Sequence, residues 1–203
     1  IPEERPQHTK ADAPKVDFVG AFAAIRAVPG LLAMVLFATF NNLIGGVYMA
    51  LMDPYGLEIF SVEMWGIIFG IAGTGFIVGG LFVARFGLGA NPIRTMLLVV
   101  ALMGAIGAFF TIRESGWLFA GGIWLYMVLI PPIEAAGQTV IQEVVEFENQ
   151  GRVFGSSQAF ESASAPITAF MIAPIAEFWV IPALDSPAGA QRWEWLLGTG
   201  EGR

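Results

Sequence analysis

Few side chains in this chain have the type and spacing to do chemistry. Glu134, Gln138 and Gln142 recur every four residues and therefore form one polar stripe on a helix. Glu134 follows an apolar segment, where an ionisable group is costly, so a functional role is the default hypothesis. It is a candidate to bind a proton, to bind a cation, or to pair with Arg152; solvation at an interface is the alternative.

Two further polar sites interrupt apolar segments. Asn41 and Asn42 lie in the middle of one segment, where an amide seeks an interhelical hydrogen bond or contacts a substrate. Glu161 stands among small residues, where it faces a cavity or pairs with cationic groups at the surface. No catalytic set accompanies them: the sequence Gly155-Ser156-Ser157 has no His partner, the only His is His8, and Cys is absent. We therefore predict no enzyme, no metal site and no cofactor.

The pattern Gly73-x-Gly75-x-x-x-Gly79 resembles a dinucleotide-binding fingerprint. That fold needs an acidic residue about 20 positions later for the ribose, whereas the next one after Glu63 is Glu114. Helix packing is the better interpretation, because small residues four apart let two membrane helices approach closely. We assign this role to Gly66 and Gly70 as well as to Gly75 and Gly79, with Gly73 and Gly80 widening the groove.

The elements that must position these residues are membrane helices. Of 203 residues, 56% are hydrophobic and 13% charged, and mean hydropathy is +0.68. Charge is absent from four runs of 26, 21, 18 and 19 residues, namely 27–52, 64–84, 95–112 and 115–133. Because about 20 apolar residues span the hydrocarbon core of a bilayer, the sequence predicts an all-α integral membrane protein.

The predicted organisation begins with a disordered loop at 1–15 and an amphipathic surface helix at 16–28, and ends with an extracytoplasmic tail at 183–203. Between them we place five spans in the bundle 29–182: 29–52, closed by a turn at Asp53-Pro54-Tyr55-Gly56, then 62–84, 94–112, 117–137 and 153–181. Pro131 and Pro132 are expected to kink the fourth span. The charged segment 138–152 is expected to lie outside the hydrocarbon.

Orientation follows from the cations in the loops. Seven of the ten fall on the side of the N-terminus, which is therefore predicted to be cytoplasmic: Arg5, Lys10, Lys15, Arg26, Arg85, Arg94 and Arg152, against Arg113, Arg192 and Arg203. The net charge of −7 argues against a nucleic-acid partner.

Two motifs resemble the major facilitator superfamily of transporters. In "GGLFVARFGLGANPIR", Gly80, Arg85, Gly87 and Arg94 match in kind the loop between helices 2 and 3, or its weaker copy between helices 8 and 9, with Ala84 in place of the acidic residue. In "QTVIQEVVEFENQGRVFG", Gly151 and Arg152 open a Gly-Arg-Val-Phe-Gly run similar to the loop between helices 10 and 11 of macrolide-efflux and siderophore-exporter members, with Glu146 where Pro is expected.

The resemblance implies the C-terminal half-bundle, helices 7 to 11 of six, with helix 12 and the N-terminal half-bundle outside this sequence. It implies export of small amphipathic molecules by alternating access in a bacterial inner membrane, driven by protons. Asn41, Asn42, Glu134, Gln138 and Glu161 are then candidates for cavity or gate, and Arg85, Arg94 and Arg152 for a cytoplasmic latch. The alternative is a stand-alone structural or regulatory membrane module that assembles with itself or a partner.

Overall fold

The computed structural model describes residues 18–110, 112, 115–186 and 192. The predicted loop 1–15 lies outside this part of the chain, as do most of the tail 183–203 and the cations Arg5, Lys10, Lys15, Arg113 and Arg203. Every regular element within the described ranges is helical. Five helices are long and apolar enough to cross a membrane, which confirms the predicted all-α, multi-pass membrane class.

The helices follow the predicted spans closely in number and order. Short connections join them, so that consecutive spans run in opposite directions. Their bounds are α1 Phe18–Ala27, α2 Leu31–Ile59, α3 Val62–Phe86, α4 Pro92–Phe110, α5 Gly116–Val144 and α6 Phe147–Ile175, continued by a π-helical turn at Ala176–Val180 and by α7 Ile181–Asp185. We call the end of the bundle where α2 begins the Leu31 end, and the opposite end the Ile59 end.

Glycines lie where helices of the bundle come closest. On α3, a Cβ added at Gly75 would lie 2.7 Å from the Trp124 carbonyl oxygen of α5. On α2, a Cβ added at Gly46 would lie 2.6 Å from the Ala165 carbonyl oxygen of α6. Since lipid is as apolar as the helices, such close backbone approach is what holds membrane helices together. The pairs α3–α5 and α2–α6 thus form the framework.

Two apolar clusters close the two ends of the bundle. At the Leu31 end, six buried residues join α1, α2, α5 and α6: Ile25, Leu31, Val35, Ile141, Val145 and Val153. At the Ile59 end, aromatic side chains dominate, and the Trp65 and Phe119 rings stack with centroids 5.7 Å apart. The predicted surface helix corresponds to α1, and it is anchored by Ile25, which is fully buried in the first cluster.

The first span does not end where the sequence predicted. The turn expected at Asp53-Pro54-Tyr55-Gly56 is wrong, because α2 continues through Pro54 to Ile59. Tertiary contacts outweigh the hydrogen bond that proline removes: the Trp65 indole Nε1 donates to Asp53 Oδ1 at 3.1 Å. The absence of a side chain at Gly56 also makes room for the same indole ring.

The segment 138–152, which is predicted to lie outside the hydrocarbon, is helical almost throughout. Only Val145 and Glu146 separate α5 from α6. Val140, Ile141, Val145 and Val153 are buried, and their burial favours helix over a solvated loop. Gln150 fixes the bend, because its Nε2 donates to the carbonyl oxygens of Gln142 at 3.1 Å and Val145 at 3.0 Å.

The glycine stripes of α3 divide into two faces. Gly75 and Gly79 pack against α5 as predicted. Gly66 and Gly70 do not, since no atom lies within 4 Å of a Cβ added at either position. The same open space surrounds Gly73 and Gly80, so these two glycines take no part in the α5 contact.

Candidate functional site

A cavity of about 70 Å³ lies between α2, α5 and α6, with Met96 of α4 also in its lining. It unites all five residues that the sequence nominated for a cavity or gate, Asn41, Asn42, Glu134, Gln138 and Glu161, although they come from three different helices. Its other lining residues are Met34, Phe37, Ala38, Met96, Ile133, Gly137, Ile141, Phe154, Ser157 and Gln158. The apolar members form walls around a group of amide, carboxyl and hydroxyl groups.

The α2 side of the cavity carries the two amides. Both Asn41 and Asn42 are half-buried. The Asn42 Nδ2 donates to the Ala38 carbonyl oxygen one turn earlier, at 3.1 Å. The Asn42 Nδ2 therefore bonds to its own helix rather than across to a neighbour.

The α5 side forms the rim. Glu134 and Gln138 are both exposed, one turn apart, as the four-residue spacing predicted. Pro131 and Pro132 precede them, and α5 runs without interruption through both prolines. Pro132 has no N–H for the Val128 carbonyl, and this carbonyl is the group against which Gly79 of α3 packs. The prolines thus help to fix the α3–α5 contact behind the rim.

The α6 side supplies the floor, including a residue that sequence reasoning missed. Ser157 is only 3% exposed, and its hydroxyl has no hydrogen-bond partner. It lies one turn before the half-buried Glu161, with Gln158 beside it. The sequence does carry a signal for Ser157, because residues i and i+4 share a helix face and Ser157 lies four residues before Glu161.

The cavity lies between the Leu31 end and the middle of the bundle. Asn41, Glu134 and Ser157 are each ten residues from the Leu31 end of their helices. At about 1.5 Å per residue, this distance is about 15 Å. Each of these helices has 29 residues, or about 43 Å, so the polar groups lie about a third of the way along it from the Leu31 end.

The only ionisable side chains that line the cavity are acidic. It contains the two carboxyl groups of Glu134 and Glu161, and no Lys, Arg or His lines it. Among the described residues, no ion pair involves either group, so Arg152 does not lie within ion-pair distance of Glu134. The described part of the chain also contains no cluster of three His, Cys, Asp or Glu residues suited to a metal ion.

The loop-motif residues lie at the Leu31 end, away from the cavity. Gly87 ends α3 with φ +69° and ψ −170°, a conformation that is essentially restricted to glycine. Arg85 and Arg94 are exposed on either side of this loop, and Asn91 Oδ1 accepts the backbone N–H of Arg94 at 3.0 Å. Gly80 lies within α3, while Gly151 and Arg152 are exposed in the first turns of α6 rather than in a loop.

No known protein family, curated protein or solved structure matches the chain.

Proposed function

We propose that the protein is part of a secondary active transporter that exports small amphipathic molecules by alternating access. The observation that carries this proposal is the convergence of Asn41, Asn42, Glu134, Gln138 and Glu161 on one cavity between membrane-length helices. Transporters bind substrates and coupling ions at polar groups enclosed by their membrane helices. Ionisable groups such as Glu134 and Glu161 are costly within a membrane bundle, so a functional role is the default hypothesis for them.

The loop motifs support the same proposal from the sequence. Gly87 has a backbone conformation that needs glycine, as a tight loop between two membrane helices requires. Arg85 and Arg94 flank that loop and are exposed, as a latch to a second bundle would require. We assign the protein on these grounds to the major facilitator type, in a bacterial inner membrane with the N-terminus in the cytoplasm.

Alternating access requires a partner bundle, which we take to be the N-terminal half of the same transporter. The rim residues Glu134 and Gln138 are exposed, so the cavity opens on the side where such a bundle would lie. In this arrangement the amphipathic substrate passes between the bundles. Glu134 and Glu161 couple that passage to proton influx.

The test is transport by the complete protein reconstituted in vesicles. A pH gradient is imposed, and the efflux of a panel of fluorescent amphipathic dyes and of an iron-loaded siderophore is followed. We expect gradient-driven efflux of at least one compound, and a strong loss of it in Glu134→Gln and Glu161→Gln. Glu177→Gln is the matched control, because Glu177 is exposed on the same helical stretch and lies outside the cavity.

Two results would contradict the proposal in different ways. If both glutamine variants keep full pH-driven efflux, the two carboxyl groups do not couple transport to protons. If no compound moves and the protein instead purifies as a defined complex with itself or another membrane protein, it is a structural module rather than a transporter.

A further inference from the structure

We propose that the floor of the cavity is a binding site for a small hard monovalent cation, Na⁺, formed by Glu161, Ser157 and the amide oxygen of Asn42. The binding site itself is inferred from the cavity alone. A role of the cation as the coupling ion, in place of the proton, rests on the proposed function.

The ligand atoms indicate the chemistry. All the polar side chains on the floor offer oxygen: the Glu161 carboxylate, the Ser157 hydroxyl and, because its Nδ2 already donates to Ala38, the Asn42 Oδ1. Oxygen ligands are those that hard cations take, and thiol and imidazole ligands for softer metals are absent from the lining. The Ser157 hydroxyl is the strongest indicator, since it is 3% exposed and has no partner. A buried polar group is normally satisfied, and a cation in the cavity would satisfy this one.

The volume of the cavity and the charge on its floor exclude some classes of ligand. A pocket for a drug-sized molecule needs about 300–1,000 Å³, several times the 70 Å³ of this cavity. A water molecule needs about 10–15 Å³ by the same measure, so a cation with a few waters fits. Of the two carboxyl groups, only Glu161 is half-buried beside Ser157, while Glu134 is exposed at the rim. One carboxylate at the floor matches one positive charge and favours Na⁺ over a divalent ion.

The experiment measures thermal unfolding of the purified protein in detergent, in NaCl, KCl, CaCl₂ or choline chloride at equal ionic strength. Relative to choline, Na⁺ at ten times its Kd should raise the midpoint by about 3–6 °C. Ser157→Ala and Glu161→Gln should abolish this shift. Ser156→Ala and Glu177→Gln should keep it: Ser156 is as buried as Ser157 but does not line the cavity, and Glu177 lies beyond it.

Loss of folding cannot imitate the expected result. Ser157→Ala removes a buried hydroxyl that has no partner, so in choline the variant should be at least as stable as the parent protein. A Na⁺ shift no larger than that of choline overturns the inference, as does a full shift in Ser157→Ala or an equal shift with Ca²⁺. Binding of ²²Na⁺ by a protein that moves no substrate would contradict the proposed function and leave the cation site standing. Transport without Na⁺ binding would contradict the cation site and leave the proposed function standing.

Discussion

The substitution Gly79→Ala tests the contact that positions the rim of the cavity. A Cβ at Gly79 would overlap the Val128 carbonyl of α5 and lie 3.1 Å from Pro131 Cδ. These are backbone atoms and a ring atom, which cannot rotate away, so α3 and α5 must separate. The adjacent Gly80→Ala is the matched control, since nothing lies within 4 Å of its Cβ.

The magnitude follows from two opposing terms. Replacing glycine by alanine within a helix stabilises it by up to about 1 kcal/mol, and both variants gain this term equally. Only Gly79→Ala incurs overpacking, which typically costs about 1–3 kcal/mol. We therefore expect the free energy of unfolding of Gly79→Ala to lie about 1–3 kcal/mol below that of Gly80→Ala, and Gly80→Ala to be no less stable than the parent protein.

The assay is reversible unfolding in mixed detergent micelles, monitored by tryptophan fluorescence. A second pair repeats the comparison one turn away: Gly75→Ala introduces a Cβ 2.7 Å from the Trp124 carbonyl oxygen, whereas Gly73→Ala enters open space. If the two members of each pair unfold at the same detergent fraction, the assignment of the Gly75–Gly79 face to α5 is refuted.

Two other substitutions probe the framework in the same assay. Gly46→Ala should be about 1–3 kcal/mol less stable than Gly45→Ala, because only the Gly46 Cβ would meet the Ala165 carbonyl, at 2.6 Å; equal stabilities would refute the α2–α6 contact. Gly87→Ala should cost about 1–3 kcal/mol through backbone strain at φ +69°, and an unchanged stability would mean that the loop after α3 adopts another conformation.

The class of the protein could be predicted from the sequence because it depends on local properties. The four uncharged runs of 18 residues or more predict four of the five membrane-length helices in the described ranges, and the fifth, which contains Glu161, is predicted without such a run. The ends of the helices were less predictable, since they depend on distant partners. Asp53-Pro54-Tyr55-Gly56 has the composition of a turn, but the contacts of Trp65 with Asp53 and Gly56 keep it helical.

The two glycine faces of α3 show why packing partners could not be read from spacing. Gly66-x-x-x-Gly70 and Gly75-x-x-x-Gly79 have the same form, and only the second contacts α5. Which pair of glycines contacts α5 depends on how α3 is rotated against the bundle. The sequence of α3 alone does not specify this rotation.

The candidate cavity was predictable in part. Glu134 and Glu161 were identified because an ionisable group within an apolar segment is costly, and this argument needs no structure. That they share one cavity depends on the register of α5 and α6, and therefore on contacts such as Gln150 with Gln142 and Val145. Ser157 was overlooked because a serine in a membrane helix is unremarkable until its hydroxyl is found buried without a partner.

The most direct test of the transport proposal is side-specific labelling of the cavity rim. The chain contains no cysteine, so Gln138→Cys introduces the only thiol of this sequence at an exposed position of the rim. Gly70→Cys, on the open face of α3, serves as a control that a water-borne reagent should not reach from either side.

The proposal predicts that a membrane-impermeant maleimide labels Gln138→Cys from both sides of the membrane. An imposed ion gradient or a transported substrate should raise the labelling rate on one side and lower it on the other. Labelling from one side only, at a rate that neither gradient nor substrate changes, would contradict alternating access and with it the assignment of this protein as a transporter.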